Sequence, residues 1–216
     1  MLALWTASAD GDQRDIGSGS DRPGEVPAER HVRRLRQVHG ARAVVVDDVP
    51  GDGRSVDFVP EGDALVSAGS RSALAVLTAD CAPVALGSPE GVHAAVHVGW
   101  RGLVAGVIDE ALAVMRSLGA SDIVAGLGPC IGPCCYEFSP SLAASLSRHQ
   151  GIPGTALTTE GRPSFDVPGS VRARLAAAGV PLVVSLDSCT ACTPGYFSHR
   201  ARRDEARQAM LVWRTG

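Results

Sequence analysis

The 216-residue chain contains no lysine and no asparagine. Without lysine there is no phosphate-cradling P-loop, no Schiff base and no lysine general base. Without asparagine there is no N-glycosylation sequon and no Cys-His-Asn triad. Every cation is therefore one of 20 arginines, set against 23 acidic side chains for a formal net charge of −3. A balance that mild gives no bulk electrostatic reason to bind nucleic acid or an anionic membrane. Long apolar runs are missing too. No segment is long and apolar enough to span a bilayer, and MLALWTASAD lacks the basic start and apolar stretch of a signal peptide. These features predict a cytoplasmic protein, where six cysteines read as metal ligands, catalytic groups or packing before disulfides.

What is present is ordinary globular material, 45% apolar and 20% charged, enough for one large domain or two small ones. No internal repeat or linker divides it. Segment 10–27, rich in Gly, Asp, Ser and Pro, reads as a loop. Strands are predicted over 41–46, 73–77, 83–86, 92–98, 123–127, 182–186 and 209–213, with a Gly/Asp-rich turn at 49–57. Leu103, Val107, Ala111, Met115 and Leu118 share one stripe, so a single helix is expected over 103–118 with Gly119 as its stop. Ser139-Pro140 opens another helix to about 149, and a third runs over 168–178 to Gly179. Four early strands are joined by connections too short for helical crossovers. The reading is α+β, a single domain with a mixed β-sheet flanked by helices.

Three borderline or soft ligands fall at strand ends: His39 in Gln37-Val38-His39, Cys81 in Thr78-Ala79-Asp80-Cys81, and His97 before Gly99-Trp100-Arg101-Gly102. If they converge, two His and one Cys form a zinc set with water in the fourth position. The alternative is that Cys81 is a small core residue and His97 an interior hydrogen-bonding group. His93, on the same face of its strand as His97, is a packed histidine, an orienting partner or a fourth ligand. Copper is the weaker candidate, because none of Met1, Met115 and Met210 stands beside these ligands in sequence. A second group, Cys130, Cys134 and Cys135 with Cys189-x-x-Cys192, reads as a rigid loop, a four-sulfur structural zinc site or a redox pair, although adjacent cysteines are poor ligand spacing. Arg101 follows His97 by four residues, and Phe197-Ser198-His199-Arg200 leads into Arg202 and Arg203. Guanidinium groups near a metal suit a phosphate or carboxylate; for Arg202 and Arg203 a solvated surface is the plainer reading.

QVHG (37–40), EGDALVS (61–67), TADCAP (78–83), HVGWRG (97–102), GLGPCIGPCCYEF (126–138), FDVP (165–168), LDSCT (186–190) and FSHR (197–200) occur in the order seen in the YfiH-like laccase-domain proteins, so the chain resembles that family over roughly 31–204. The resemblance implies residues 31–216 as the laccase domain, with 1–30 a variable N-terminal segment of the same domain. It implies an α+β fold shared with a bacterial toxin's cysteine-hydrolase domain, and zinc on His39, Cys81 and His97. The implied activities are phosphorolysis of adenosine, inosine and methylthioadenosine, plus adenosine deamination, with a purine nucleoside and phosphate as partners and a monomer or homodimer as the working unit. In that scheme zinc-activated water deaminates, Asp80 carries the proton, and Cys81 and Arg101 serve catalysis. Arg200 and His199 contact substrate. Rival schemes make Cys81 the nucleophile and His97 the base of a hydrolase editing cell-wall precursors, or make the chain a non-catalytic zinc module closed by His93. Two departures stand out: the family's aromatic- and Asn-containing opening is replaced by WTASADGDQRDIG, and FSHRARRD separates arginines that are adjacent in many members.

Overall fold

The computed structural model describes residues 2–16, 26, 30–46, 58–146 and 156–215. The expected turn at 49–57, the far end of the helix expected to reach 149 and most of the loop at 10–27 lie outside the described residues. In chain order the first strands are β1 Leu2–Trp5, β2 His31–Arg36, β3 Ala43–Val45, β4 Phe58–Glu61 and β5 Ala64–Ser67. They are followed by β6 Ser72–Thr78, β7 Ala82–Gly87 and β8 His93–Val98, then by helices α1 Trp100–Ala105 and α2 Val107–Ser117. The second half holds β9 Val124–Leu127, α3 Pro140–Leu146, β10 Ala156–Leu157, β11 Pro163–Ser164, α4 Val167–Ala177, β12 Leu182–Ser185, α5 His199–Arg202 and β13 Gln208–Trp213.

The strands make two mixed sheets and a short hairpin, in the orders β1-β13-β6-β2-β4, β12-β9-β7-β8-β5-β3 and β10-β11. The α+β reading stands, and the mixed pairing is divided between two layers rather than one. Side-chain alternation explains the stacking. On β6, Leu74 and Val76 join Met210 and Val212 of β13 against Leu65, Ala85 and Ala95 of the second sheet. Ala73 and Ala75 point the other way and meet Ile16, Val26 and Leu211. On the far face of the second sheet, Val84, Leu86, Ala94 and Val96 pack on Val107, Ile108, Ala111, Leu112 and Met115 of α2. Strands buried on both faces carry continuous apolar runs instead of alternating ones. That is why 73–77 and 83–86 read plainly as strands but not as members of different sheets.

The helix expected over 103–118 is two helices. Gly106 sits between them in the left-handed region (φ 88°), ending α1 and starting α2, a conformation open to glycine at little cost. Gly119, at φ 92°, is the stop that the sequence indicated. Asp166 caps α4 by accepting the Gly169 N–H at 2.8 Å. The first residues are built into the sheet: β1 pairs antiparallel with β13 along Leu2–Trp5. Among the described residues no helix is long and apolar enough to cross a membrane.

Three connections pass from the first sheet to the second: β2 to β3 through 37–42, β4 to β5 through 62–63, and β6 to β7 through 79–81. They run close together, since the His39 and Gly40 N–H groups bond to the Asp63 carboxylate, and the first and third bring site residues His39 and Cys81 within 4.8 Å of one another. This corner is where the chemistry sits.

Candidate metal and anion site

His39, Cys81 and His97 bring their ligand atoms within 4.8 Å of one another. Cys81 lies on the third connection, His39 on the first, and His97 on β8 directly opposite Pro83 of β7. The His39 and His97 rings meet edge to face at 4.8 Å between centroids. His39 adopts φ 60°, a turn conformation uncommon for a side chain of its size. The middle connection supplies what holds it there. The carboxylate of Asp63, fully buried, accepts from the backbone N–H of His39 at 2.8 Å and of Gly40 at 2.7 Å, and from His97 Nδ1 at 2.8 Å. One carboxylate thus fixes a loop and orients a ring, leaving His97 Nε2 toward Cys81. A carboxylate behind a ligating histidine is the usual orienting arrangement at metal sites.

The electrostatics agree with that geometry. Burial would raise Asp63, yet the His97 ring and the Gly40 and His39 N–H groups hold it below the usual carboxylate range. Burial would also push the Cys81 thiol up, but the His97 charge and hydrogen bonds from both histidines bring it down to about 6. His97 moves oppositely: burial favours the neutral ring, while the Cys81 thiolate and Asp63 draw it up to about 9. The pair is thus a thiolate beside a protonated imidazole: the sulfur already has its ligand form, and His97 gives up its Nε2 proton when a divalent ion binds.

Gly99 makes room for the set. A Cβ there would lie 2.8 Å from His39 Cδ2 and 3.2 Å from Cys81 Sγ. Gly99→Ala is therefore expected to displace His39 and weaken divalent-metal binding about tenfold or more while leaving the melting temperature nearly unchanged; equal affinity in a chelator competition would contradict this. Asp63→Asn removes the charge behind His97 and puts an amide, itself half donor, in place of a carboxylate that faces four donors, the Val38, His39 and Gly40 N–H groups and His97 Nδ1. The expected loss is about 10- to 100-fold in metal affinity, read by the same competition, and unaltered affinity would show that Asp63 does not orient the ligand.

The set lies in the wall of a cavity of about 660 Å³ that also takes in Leu35, Leu77, Trp100, Arg101, Tyr136, His199 and Arg200. Arg14, Arg101, Arg200 and Arg207 line it, and two of them stack on rings: Arg101 lies 4.6 Å over the Trp100 ring, and Arg200 lies 4.6 Å over the Tyr136 ring. Stacking on a ring leaves N–H edges that can face an anion; on Arg200 one of these, Nη1, already donates to the Glu137 carbonyl at 3.0 Å. Burial, reinforced by the Cys81 charge, pushes the Tyr136 hydroxyl up to about 12, so it stays a neutral hydrogen-bonding group. Arg200 leaves the divided arginine motif as the cavity's member. Arg202 is spent on the carbonyls of Ala191, Thr190 and Tyr196 and on Asp204, while Arg203 ends α5 at φ 60°.

Asp80 is at the site in an unexpected capacity. Its Oδ1 accepts from Thr190 Oγ1 at 2.7 Å and Ser198 Oγ at 2.6 Å, and its Oδ2 from the Arg200 N–H at 2.7 Å. Both oxygens are occupied, at a residue held at φ 105°. His93 is distant from the set in the fold: it faces Ser67 and Gly87 at the other end of β8, with Nδ1 near the Gly91 carbonyl at 3.1 Å. Asp63, Gln37 and Tyr136 carry weight that sequence reasoning did not give them. Gln37 clamps Leu77 through both amide atoms at 2.8 Å each, fixing the first connection to the end of β6. The signal for Asp63 was an acid directly before the short strand ALVS, which is buried throughout.

The fold and this corner define a member of the laccase-like YfiH class. The chain belongs to the family described as multi-copper polyphenol oxidoreductase laccase, whose model matches residues 22–215. It is 42% identical over 187 residues to a purine nucleoside phosphorylase of Streptomyces griseus, covering 85% of this chain and 74% of that one. It is 39% identical over 212 residues to another of that name from Streptomyces coelicolor, covering 91% and 86%. Among solved structures, YlmD from Geobacillus stearothermophilus superimposes with TM-score 0.73 at 31% identity, covering 88% of this chain and 75% of that one. YfiH from Bacillus licheniformis does so with TM-score 0.74 at 25% identity, covering 85% and 74%.

Proposed function

We propose that the chain is a zinc-dependent purine nucleoside phosphorylase acting on adenosine, inosine and methylthioadenosine, with adenosine deaminase activity in the same cavity. The observation that carries this reading is the meeting, in one cavity, of a three-ligand metal set with two aromatic-stacked arginines. The phosphorylase names of the Streptomyces relatives support it.

The donor set suits zinc: three protein ligands with one position left for water or substrate. The family description mentions several coppers, yet among the described residues the cavity wall contains no methionine, and Met115 and Met210 are core residues. A blue-copper site wants a weak axial sulfur that these residues do not provide. Zinc bound by His39, Cys81 and His97 would supply a Lewis acid in the cavity wall.

In phosphorolysis a phosphate oxygen bonds to C1′ of the ribose as the C1′–N9 bond breaks, and the electron pair leaves with the purine, which gains a proton. Arg101 and Arg200 grip and orient the phosphate, each with paired N–H groups. Leu35 and Leu77 offer apolar surface to the base. His199, beside Arg200, contacts substrate. Asp80 we assign to positioning: its occupied carboxylate fixes the Arg200 backbone and the Thr190 and Ser198 hydroxyls, so proton transfer belongs to another group.

A second reading rests on a specific observation. Cys81, His97 and Asp63 also form a Cys-His-Asp arrangement, with the His97–Asp63 bond at 2.8 Å, the geometry of an activated thiol nucleophile. His39 separates the two, because a hydrolase triad needs no second histidine and the metal set does. Chelation followed by readdition of zinc or copper tests the proposal. Zinc-restored, phosphate-dependent purine release is expected. Undiminished activity in metal-free protein, abolished by thiol alkylation and untouched by His39→Ala, would overturn it in favour of the hydrolase.

A further inference from the structure

A second cluster of ligating side chains lies outside the cavity. Cys134, Cys135, Cys189 and Cys192 bring their four Sγ atoms within 4.8 Å of one another, from two segments more than fifty residues apart. The Sγ atoms of Cys134 and Cys192 are 3.9 Å apart. Four sulfurs about a zinc ion at roughly 2.3 Å stand about 3.8 Å from each other in a tetrahedron. The Cys134–Cys192 spacing is close to that, and no other pair exceeds 4.8 Å.

Packing does not account for the cluster. The cysteine used for packing is Cys130, which is 4% exposed, whereas Cys192 is exposed and the other three are half-buried. The approach of the two segments is built in as well. Gly132 faces Cys134 and Cys189 so closely that a Cβ would lie 3.3 Å from Cys134 Sγ and 3.4 Å from Cys189 Cβ. The Gly132 N–H points at Cys189 Sγ at 3.2 Å, a backbone hydrogen bond of the kind that stabilises a ligating thiolate. Adjacent cysteines are unusual ligands, and here the tight turn after Gly132, with Cys135 and Tyr136 N–H groups both bonded to its carbonyl at 3.1 Å, presents both sulfurs to the same point.

We propose that these four cysteines bind one zinc-class divalent cation as thiolates, a structural site separate from the cavity metal. Each thiol gives up its proton as its sulfur–metal bond forms. The ion would staple the 126–138 segment to the 186–198 segment. Cys135 precedes Tyr136, whose ring lies under Arg200, and Cys189 precedes Thr190, which bonds Asp80. Tyr136 lines the cavity, and Thr190 shares the Asp80 carboxylate with the Arg200 backbone N–H.

The site is tested with cobalt(II), whose absorption distinguishes an all-thiolate tetrahedron from a His2Cys one. Full-length Cys81→Ala, reduced and metal-free, should take up one cobalt per chain with the all-thiolate spectrum. Cys189→Ala with Cys192→Ala, in the otherwise unaltered chain, should lose that spectrum and keep the His2Cys signal. If the double variant does not fold, Cys192→Ser alone, at an exposed position, should weaken and shift the all-thiolate bands. The proposal is overturned if Cys81→Ala binds no cobalt, if the bands are indifferent to Cys189 and Cys192, or if freshly purified protein holds a disulfide among the four. None of these outcomes bears on the cavity metal, which the His2Cys signal reports separately.

Discussion

Cys81→Ala is expected to slow purine release at least about a thousandfold while leaving the chain folded. Lewis-acid stabilisation at a metal site is worth several kcal/mol, and about 4 kcal/mol corresponds to three powers of ten in rate. The fold should survive because Cys81 sits on a connection between sheets and belongs to none of the three packed layers. Its place is beside a cavity, not between sheets. A structural metal would behave otherwise, taking the fold with it on removal. Zinc content should fall with activity in this variant, and circular dichroism should match the parent. A folded, fully active Cys81→Ala would remove the metal set from the account.

The second large effect concerns phosphate. In Arg101→Ala and Arg200→Ala the KM for phosphate should rise by about 10- to 100-fold, the range given by losing a charge-assisted hydrogen-bonded pair of about 1.5–3 kcal/mol. The KM for nucleoside should move less, and adenosine deamination, which needs no anion, should be comparatively spared. Arg→Lys at either position should recover little, since an ammonium group neither stacks on Trp100 or Tyr136 nor presents a planar pair of donors. Parallel loss of both activities would mean that these arginines shape the cavity and do not hold phosphate.

Much of the architecture was readable from apolar runs. The strands at 73–77, 83–86, 92–98 and 209–213 appear within a residue or two of their expected bounds, and Gly119 and Gly179 end α2 and α4 as positive-φ stops. What the runs did not reveal was the division into two sheets. Strands buried on both faces have no polar face to mark which layer they belong to. β2 escaped notice because HVRRLR is half charged, although His31, Val32 and Arg33 are buried in the first sheet. The single helix over 103–118 failed at Gly106, where the apolar stripe continues across a left-handed break. At the site, ligand types at strand ends were visible, and resemblance made them a set. Asp63 was not, because its role depends on three connections meeting in space, two of them distant in sequence.

The most direct test of the phosphorylase reading is product analysis with inosine as substrate, with and without inorganic phosphate. Zinc-loaded protein should release hypoxanthine together with an equal amount of ribose 1-phosphate, and neither without phosphate. Hypoxanthine released at the same rate in phosphate-free buffer, accompanied by free ribose, would contradict the account and the arginine assignment with it.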